Sequence, residues 1–245
     1  MLKKIGKEIL DAVYPKRCPI CSEILVPKER KICSSCSEEL PVLMEPRCKK
    51  CSKPVLVSEQ EYCFDCVKKQ HHYARGYACF LYNEKLKKSL SEFKYHVKKE
   101  YADFYVAAMV AYLGEWIHKT GAEVLIPVPL HKNKYKRRGF NQAQLLAEGL
   151  SKALSIPVDT KLLVRTIDTI PQKKLDNKER MRNLEMAFSI LTNGKESEKL
   201  FPYKRVILVD DIYTTGSTIE ACTNVLQRAG CPEVFFVTVC IGSGF

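Results

Sequence analysis

From residue 73 onward the chain alternates short apolar runs with longer stretches in which apolar residues recur every three or four positions. Gly76 to Tyr82 reads as a strand. Glu84 to Val97 and Ala102 to His118 carry the helical spacing. Val124 to Val128 is a short β-rich run closed by Pro129, and Phe140 to Leu154 sets Phe140, Ala143, Leu146, Leu150 and Ala153 on one helical face. Ala187 to Leu191 is a further strand candidate. Val206 to Val209 is continuously apolar, as expected of a strand covered on both faces, and Thr218 to Ala229 follows as a helix. Glu233 to Ile241 is the last predicted strand. Strands alternating with helices imply crossover connections, so residues 73–245 are predicted to form an α/β domain on a parallel sheet.

Residues 1–72 follow a different rule. Four CxxC pairs, Cys18/Cys21, Cys33/Cys36, Cys48/Cys51 and Cys63/Cys66, succeed one another with eleven residues between pairs. Tetrahedral zinc, at about 2.3 Å from each sulfur, takes two ligands from one tight turn and two from another, which this spacing supplies. A repeat of 30 residues is superimposed: Arg17, Cys18, Cys21, Ser22, Glu29, Cys33 and Cys36 recur as Arg47, Cys48, Cys51, Ser52, Glu59, Cys63 and Cys66. A duplicated unit carries a whole site. The predicted sets are therefore Cys18, Cys21, Cys33, Cys36 and Cys48, Cys51, Cys63, Cys66, each holding one structural Zn2+ in a small double zinc-ribbon domain. An interleaved pairing is the alternative that spacing leaves open. The remaining cysteines, Cys79, Cys222, Cys231 and Cys240, lie in apolar elements and read as core thiols. His71 and His72 read as part of a solvated linker.

Length and composition narrow the classes. With 245 residues, 46% hydrophobic and 28% charged, the chain has core enough for an ordinary domain, which excludes disordered and collagen-like structure. Lys3, Lys4 and Lys7 resemble the start of an export signal, but Glu8 and Asp11 interrupt the apolar stretch behind them, so the expected location is cytoplasmic. In that compartment twelve cysteines point to metal rather than disulfides. The longest uncharged helical stretch runs only from Phe104 to Gly114, against the roughly 20 residues that span a bilayer, so no membrane insertion is expected. A formal charge of +12 favours polyanionic partners.

The candidate chemistry lies at Val206-Ile-Leu-Val-Asp-Asp-Ile-Tyr-Thr-Thr-Gly-Ser-Thr218. Ligands of open α/β sheets bind beyond the carboxyl ends of the strands. A helix N-terminus opened by Thr214, Thr215, Gly216, Ser217 and Thr218 forms a phosphate cradle, since free N–H groups and hydroxyls converge there and Gly216 admits a close approach. Asp210 and Asp211 accept hydrogen bonds and suit the vicinal hydroxyls of a sugar. Together they describe a sugar phosphate. A second segment, Ile126-Pro-Val-Pro-Leu130 followed by a loop with Lys132, Lys134, Lys136, Arg137 and Arg138, packs five cations into seven positions at the same predicted rim, as a pyrophosphate clamp requires. Lys85, Lys87, Lys88 and Lys94 on the first predicted helix form a basic face, either solvated or turned to nucleic acid. No GxxxxGK[ST] loop occurs in the sequence.

The segment 206–218 resembles the signature of type I phosphoribosyltransferases. That resemblance implies that Asp210 and Asp211 hold the ribose hydroxyls of phosphoribosyl pyrophosphate (PRPP), that residues 214–218 hold its 5-phosphate, and that Mg2+ accompanies it. The order of zinc pairs, strand-end prolines, Arg138-Gly-Phe-Asn-Gln142, the 172–188 stretch with Arg180 and Asn183, and the terminal phosphate loop resembles the ComF family of competence proteins. The family resemblance implies a role in DNA uptake and other competence proteins as partners. Three functions are compatible with the sequence: Mg2+-dependent phosphoribosyl transfer, a module binding single-stranded DNA, and a regulator that senses PRPP without turnover. The sequence names neither the acceptor nor a general base.

Overall fold

The computed structural model describes residues 15–167, 186–191 and 201–243. Arg180, Asn183 and the N-terminal lysines named above lie outside the described residues. Among the described residues the elements are α1 (Ser34–Glu38), α2 (Phe64–Lys68), β1 (Gly76–Leu81), α3 (Glu84–Tyr95), α4 (Tyr101–Lys119), β2 (Val124–Pro127), α5 (Lys132–Arg138), α6 (Gln142–Leu154), β3 (Leu163–Arg165), β4 (Phe188–Ile190), β5 (Arg205–Tyr213), α7 (Ser217–Arg228) and β6 (Glu233–Ile241). The main sheet has the order β1-β6-β5-β2, and every pairing in it is parallel. The α/β expectation holds, with two local departures. The stretch 132–138 is a helix, not a loop: His131 caps it by accepting from the Asn133 amide at 3.3 Å, and Gly139 ends it in the left-handed region at φ +77°. The strand predicted at 187–191 pairs antiparallel with β3 in a separate two-stranded sheet, a partner that apolar pattern alone does not reveal.

Alternation along the strands divides the core into two layers. Ile207, Val209, Val237 and Val239 face α3, α4 and α6, while Val206, Leu208, Val234 and Phe236 face α7. The cysteine repeats straddle this sheet. Cys18, Ile20, Leu25 and Cys36 of the first pack into the layer with α3 and α4; Cys48, Cys51, Val55 and Cys63 of the second pack into the layer with α7. Between them the chain runs along β1, where the Leu43 amide donates to the Cys79 carbonyl at 2.9 Å and the Leu81 amide to the Pro41 carbonyl at 2.8 Å. That pairing covers a sheet edge that would otherwise expose backbone groups. At the opposite edge, Val158 bridges to Leu125 in parallel. Among the described residues no helix is long and apolar enough to cross a membrane.

Candidate functional site

The connection after β5 turns toward β6, whereas the one after β2 turns outward to Val158. The carboxyl ends of β5 and β2 therefore flank a reversal in strand order, where α/β sheets open a binding crevice. β5 runs four residues past the apolar core of its sequence pattern, so Asp210 and Asp211 lie within the strand, Asp210 opposite Thr238 of β6. The Asp211 amide donates to Asp210 Oδ1 at 2.8 Å. Burial, together with the neighbouring Asp211 carboxylate, pushes the Asp210 carboxyl up to about 7. Asp211 is buried and pairs with Lys94 of α3, Nζ to Oδ2 2.6 Å. Burial works against the Lys94 charge, but the Asp211 carboxylate outweighs it and holds the ammonium above its usual range.

The candidate phosphate loop follows. Thr214 and Thr215 are exposed, Thr215 Oγ1 lies 3.0 Å from Ser217 Oγ, and Gly216 caps α7 in the left-handed region at φ +79°. A Cβ on Gly216 would come within 2.3 Å of Tyr213 Oη, so both backbone conformation and space demand glycine there. The first-turn N–H groups of α7 lack intrahelical acceptors and can receive phosphate oxygens. Across the crevice α5 presents Lys132, Lys136 and Arg137 to solvent, with Lys134 half-buried. Arg138 instead turns inward: its guanidinium donates to Gln142 Oε1 at 2.9 Å and Tyr95 Oη at 3.0 Å, and its positive charge acts on Asp210.

The cysteines gather as two tetrads, Cys18, Cys21, Cys33, Cys36 and Cys48, Cys51, Cys63, Cys66, with all sulfurs of a set within 4.8 Å of one another. This is the sequential pairing, not the interleaved one. Cys21 Sγ to Cys33 Sγ is 3.7 Å and Cys51 Sγ to Cys63 Sγ is 3.6 Å, close to the roughly 3.8 Å edge of a tetrahedron with 2.3 Å zinc–sulfur bonds. The donor sets fit structural zinc. The copies repeat in detail: the Cys18 and Cys48 amides donate to the Glu23 and Lys53 carbonyls at 2.7 Å, and Ser22 and Ser52 both adopt positive φ.

Family comparison matches residues 9–67 to the double zinc ribbon domain and residues 136–243 to the phosphoribosyl transferase domain. Competence protein F of Haemophilus influenzae is 43% identical over 112 residues, covering 46% of this chain and 47% of that protein. Competence protein ComFC of Bacillus subtilis is 31% identical over 151 residues, covering 62% and 57%. Over those stretches the chain is similar to the ComF competence proteins. The DNA utilization protein YhgH of Escherichia coli K12 is 34% identical over 116 residues, 47% of this chain and 48% of that one. The chain spans about half the length of the curated relatives it matches. A purine phosphoribosyltransferase structure from Pyrococcus horikoshii aligns over 56% of this chain and 74% of its own, at 17% identity and a TM-score of 0.35.

Two sequence expectations need correction. Lys94 belongs to no solvated basic face, because its ammonium is taken by Asp211, and Lys85 pairs with Glu39 of the first ribbon. His71 and His72 do not form a solvated linker: His71 is buried, and both imidazoles and the His72 amide contact Glu220 of α7. Those bonds, acting against burial, hold the Glu220 carboxyl below its usual range. By contrast, Cys79, Cys222, Cys231 and Cys240 are buried as core thiols, their acidity suppressed chiefly by burial. Sequence reading also passed over Tyr95, which receives Arg138, and Tyr73, whose hydroxyl meets that of Tyr213 at 2.8 Å.

Proposed function

We propose that the chain binds PRPP with Mg2+ and acts as a phosphoribosyltransferase in the handling of DNA taken up during natural competence. The observation carrying this reading is the adjacency, at one reversal of strand order, of an acidic pair, half-buried Asp210 and buried Asp211, and a glycine-capped loop. Asp210 and Asp211 accept the two ribose hydroxyls, residues 214–218 receive the 5-phosphate, Lys134, Lys136 and Arg137 place positive charge where pyrophosphate leaves, and inward-turned Arg138 adds its charge beside Asp210. Mg2+ carried by the pyrophosphate supplies charge neutralisation on the leaving group. The acceptor is a nitrogen nucleophile that attacks C1 as pyrophosphate departs. Its base is unassigned.

The test has two arms. PRPP with Mg2+ raises the melting temperature of wild-type protein, because a ligand bound only by the folded state stabilises it by mass action. The double variant Asp210→Asn, Asp211→Asn loses most of that shift, each charge-assisted hydrogen bond contributing about 1.5–3 kcal/mol. An equal shift in wild type and double variant would mean the sugar sits elsewhere. Pyrophosphate release on incubation with candidate amines or nucleobases separates an enzyme from a PRPP sensor. The cations that α5 turns to solvent, Lys132, Lys136 and Arg137, favour a second reading in which single-stranded DNA tracks this helix.

A further inference from the structure

We propose that the second zinc ribbon is a structural part of the phosphate loop, and that Tyr73 is the positioning residue joining them. The inference rests on reading residues 214–218 as that loop.

Beginning at the loop, the Tyr213 side chain fills the space that a Cβ on Gly216 would need, at 2.3 Å from Oη. Its ring stacks on Phe236 with centroids 4.8 Å apart and interplanar angle 4°, and its hydroxyl meets Tyr73 Oη at 2.8 Å. Tyr73 is fully buried; it stacks on His71 at 4.9 Å and meets Phe236 edge-on at 4.9 Å. The second ribbon closes this cluster from below. Lys50 Nζ lies 5.4 Å from the Tyr73 ring centroid, while the Lys50 carbonyl receives the Gly76 amide at 2.9 Å. Lys53, buried and paired with Asp65 at 2.6 Å, sits 6.0 Å from the Tyr213 ring centroid. A few residues on, His71 and His72 grip Glu220 in the first turn of α7. The loop is thus held at Gly216 from beneath and at Glu220 from the side, both by the chain leaving the second zinc site.

The repeat supplies an internal control. Thirty residues earlier, Lys50, Lys53 and Asp65 correspond to Ile20, Glu23 and Ser35. Glu23 and Ser35 cannot form the Lys53–Asp65 pair, and Ile20 packs into the other layer of the sheet. The copies agree at their zinc ligands and diverge at the residues with which the second meets Tyr73 and Tyr213. A tetrathiolate ribbon keeps its shape through its metal. Losing zinc at Cys48, Cys51, Cys63 and Cys66 therefore frees Lys50, Lys53 and Tyr73, and with them the support of Gly216; losing it at the first set leaves that support in place.

Hydrogen exchange of the 213–220 amides in the full-length protein tests this without any ligand. Cys63→Ser is expected to speed exchange there by about ten-fold or more, and Cys21→Ser by less than about two-fold. Tyr73→Phe keeps the ring and removes only the hydroxyl pair; it is expected to retain two zinc ions and lower the melting temperature by only a few degrees while weakening binding of ribose 5-phosphate about five-fold. Unchanged exchange in Cys63→Ser, or equal acceleration in both cysteine variants, overturns the inference. If Cys63→Ser does not fold, Tyr73→Phe decides: wild-type exchange and affinity overturn the inference, and faster exchange at 214–218 with full zinc supports it. Wild-type protein that binds no ribose 5-phosphate defeats the PRPP reading instead, and the exchange comparison still decides whether the ribbon holds the loop.

Discussion

Replacing Lys94 by Met removes the charge that pairs with Asp211 among the described residues and keeps most of the side-chain volume. The ammonium is 2.6 Å from Asp211 Oδ2, and the two side chains are only 19% and 8% exposed. Breaking a buried ion pair from one side costs about 3–5 kcal/mol, because the other charge is stranded. Lys94 keeps some solvent contact, so the lower end applies. In a protein of this size each kcal/mol moves the melting temperature by roughly 2–4 °C, giving a fall of about 6–12 °C at pH 8. The penalty depends on pH. Asp210 titrates at about 7 in the fold against 3.8 for an ordinary aspartate, so the folded state already holds a proton more tightly than the unfolded one. Such a group contributes stability at low pH that is lost as pH rises toward 7. Taking away the Lys94 charge raises proton affinity at the acidic pair further. The gap between variant and wild type is therefore smaller at pH 5.5, where a shared proton relieves the repulsion, than at pH 8. Differential scanning calorimetry at both values measures it. A fall below about 2 °C, or an equal fall at both pH values, refutes the claim that Lys94 balances the acidic pair at buried Asp211.

Other outcomes follow from the same geometry. Purified protein carries two zinc ions per chain, and a chromophoric chelator extracts them in two phases, the first from the set containing exposed Cys21 and the second from the buried Cys48, Cys51 and Cys63; one phase for both metals contradicts the difference in burial. Stabilisation by PRPP and Mg2+ increases between pH 6 and 8 as Asp210 loses its proton and becomes a full acceptor, and thermal shifts that stay flat over that range count against its role. Affinity for single-stranded DNA falls steeply with salt, each neutralised phosphate adding about −0.7 to the slope of log affinity against log salt. Changing Lys134, Lys136 and Arg137 to Ala, with inward-facing Arg138 kept, flattens that slope; a slope that survives this change but vanishes on deleting residues 1–68 assigns DNA to the ribbons.

Local chemistry was legible in the sequence, and long-range partnership was not. The CxxC spacing and 30-residue repeat gave the zinc sets because both ligands of a knuckle lie within four residues of each other. The apolar run 206–209 located the strand, and Gly216 marked its own turn, since glycine at positive φ records a backbone need at that position. Lys94 was misplaced for the opposite reason. On α3 it is one lysine among several, and nothing within the helix distinguishes the one whose neighbour across the fold is a carboxylate 117 positions away. The basic stretch 132–138 was mistaken for a loop because its cations masked two capping signals, His131 before it and Gly139 after it.

The histidines show how a local prior fails where tertiary contact decides. His71 and His72 follow a run of polar residues, Lys68-Lys69-Gln70, and precede the first strand, the pattern of a solvated connector. Their partner, Glu220, lies 149 positions beyond His71 and is buried on α7. A carboxylate in that setting must find donors or lose its charge, and the His72 amide and the two imidazoles are the donors within reach. A buried glutamate in the first turn of α7 is itself the signal that sequence reading could have used. In TTGSTIEACTNVL, Glu220 sits between the apolar positions Ile219, Ala221 and Cys222, a charge on the inward face that requires a counterpart from outside its own helix. The donors come from the connector between ribbon and sheet, so this segment cannot be treated as a passive hinge: its histidines tie the module at 48–66 to the helix that opens the candidate phosphate site.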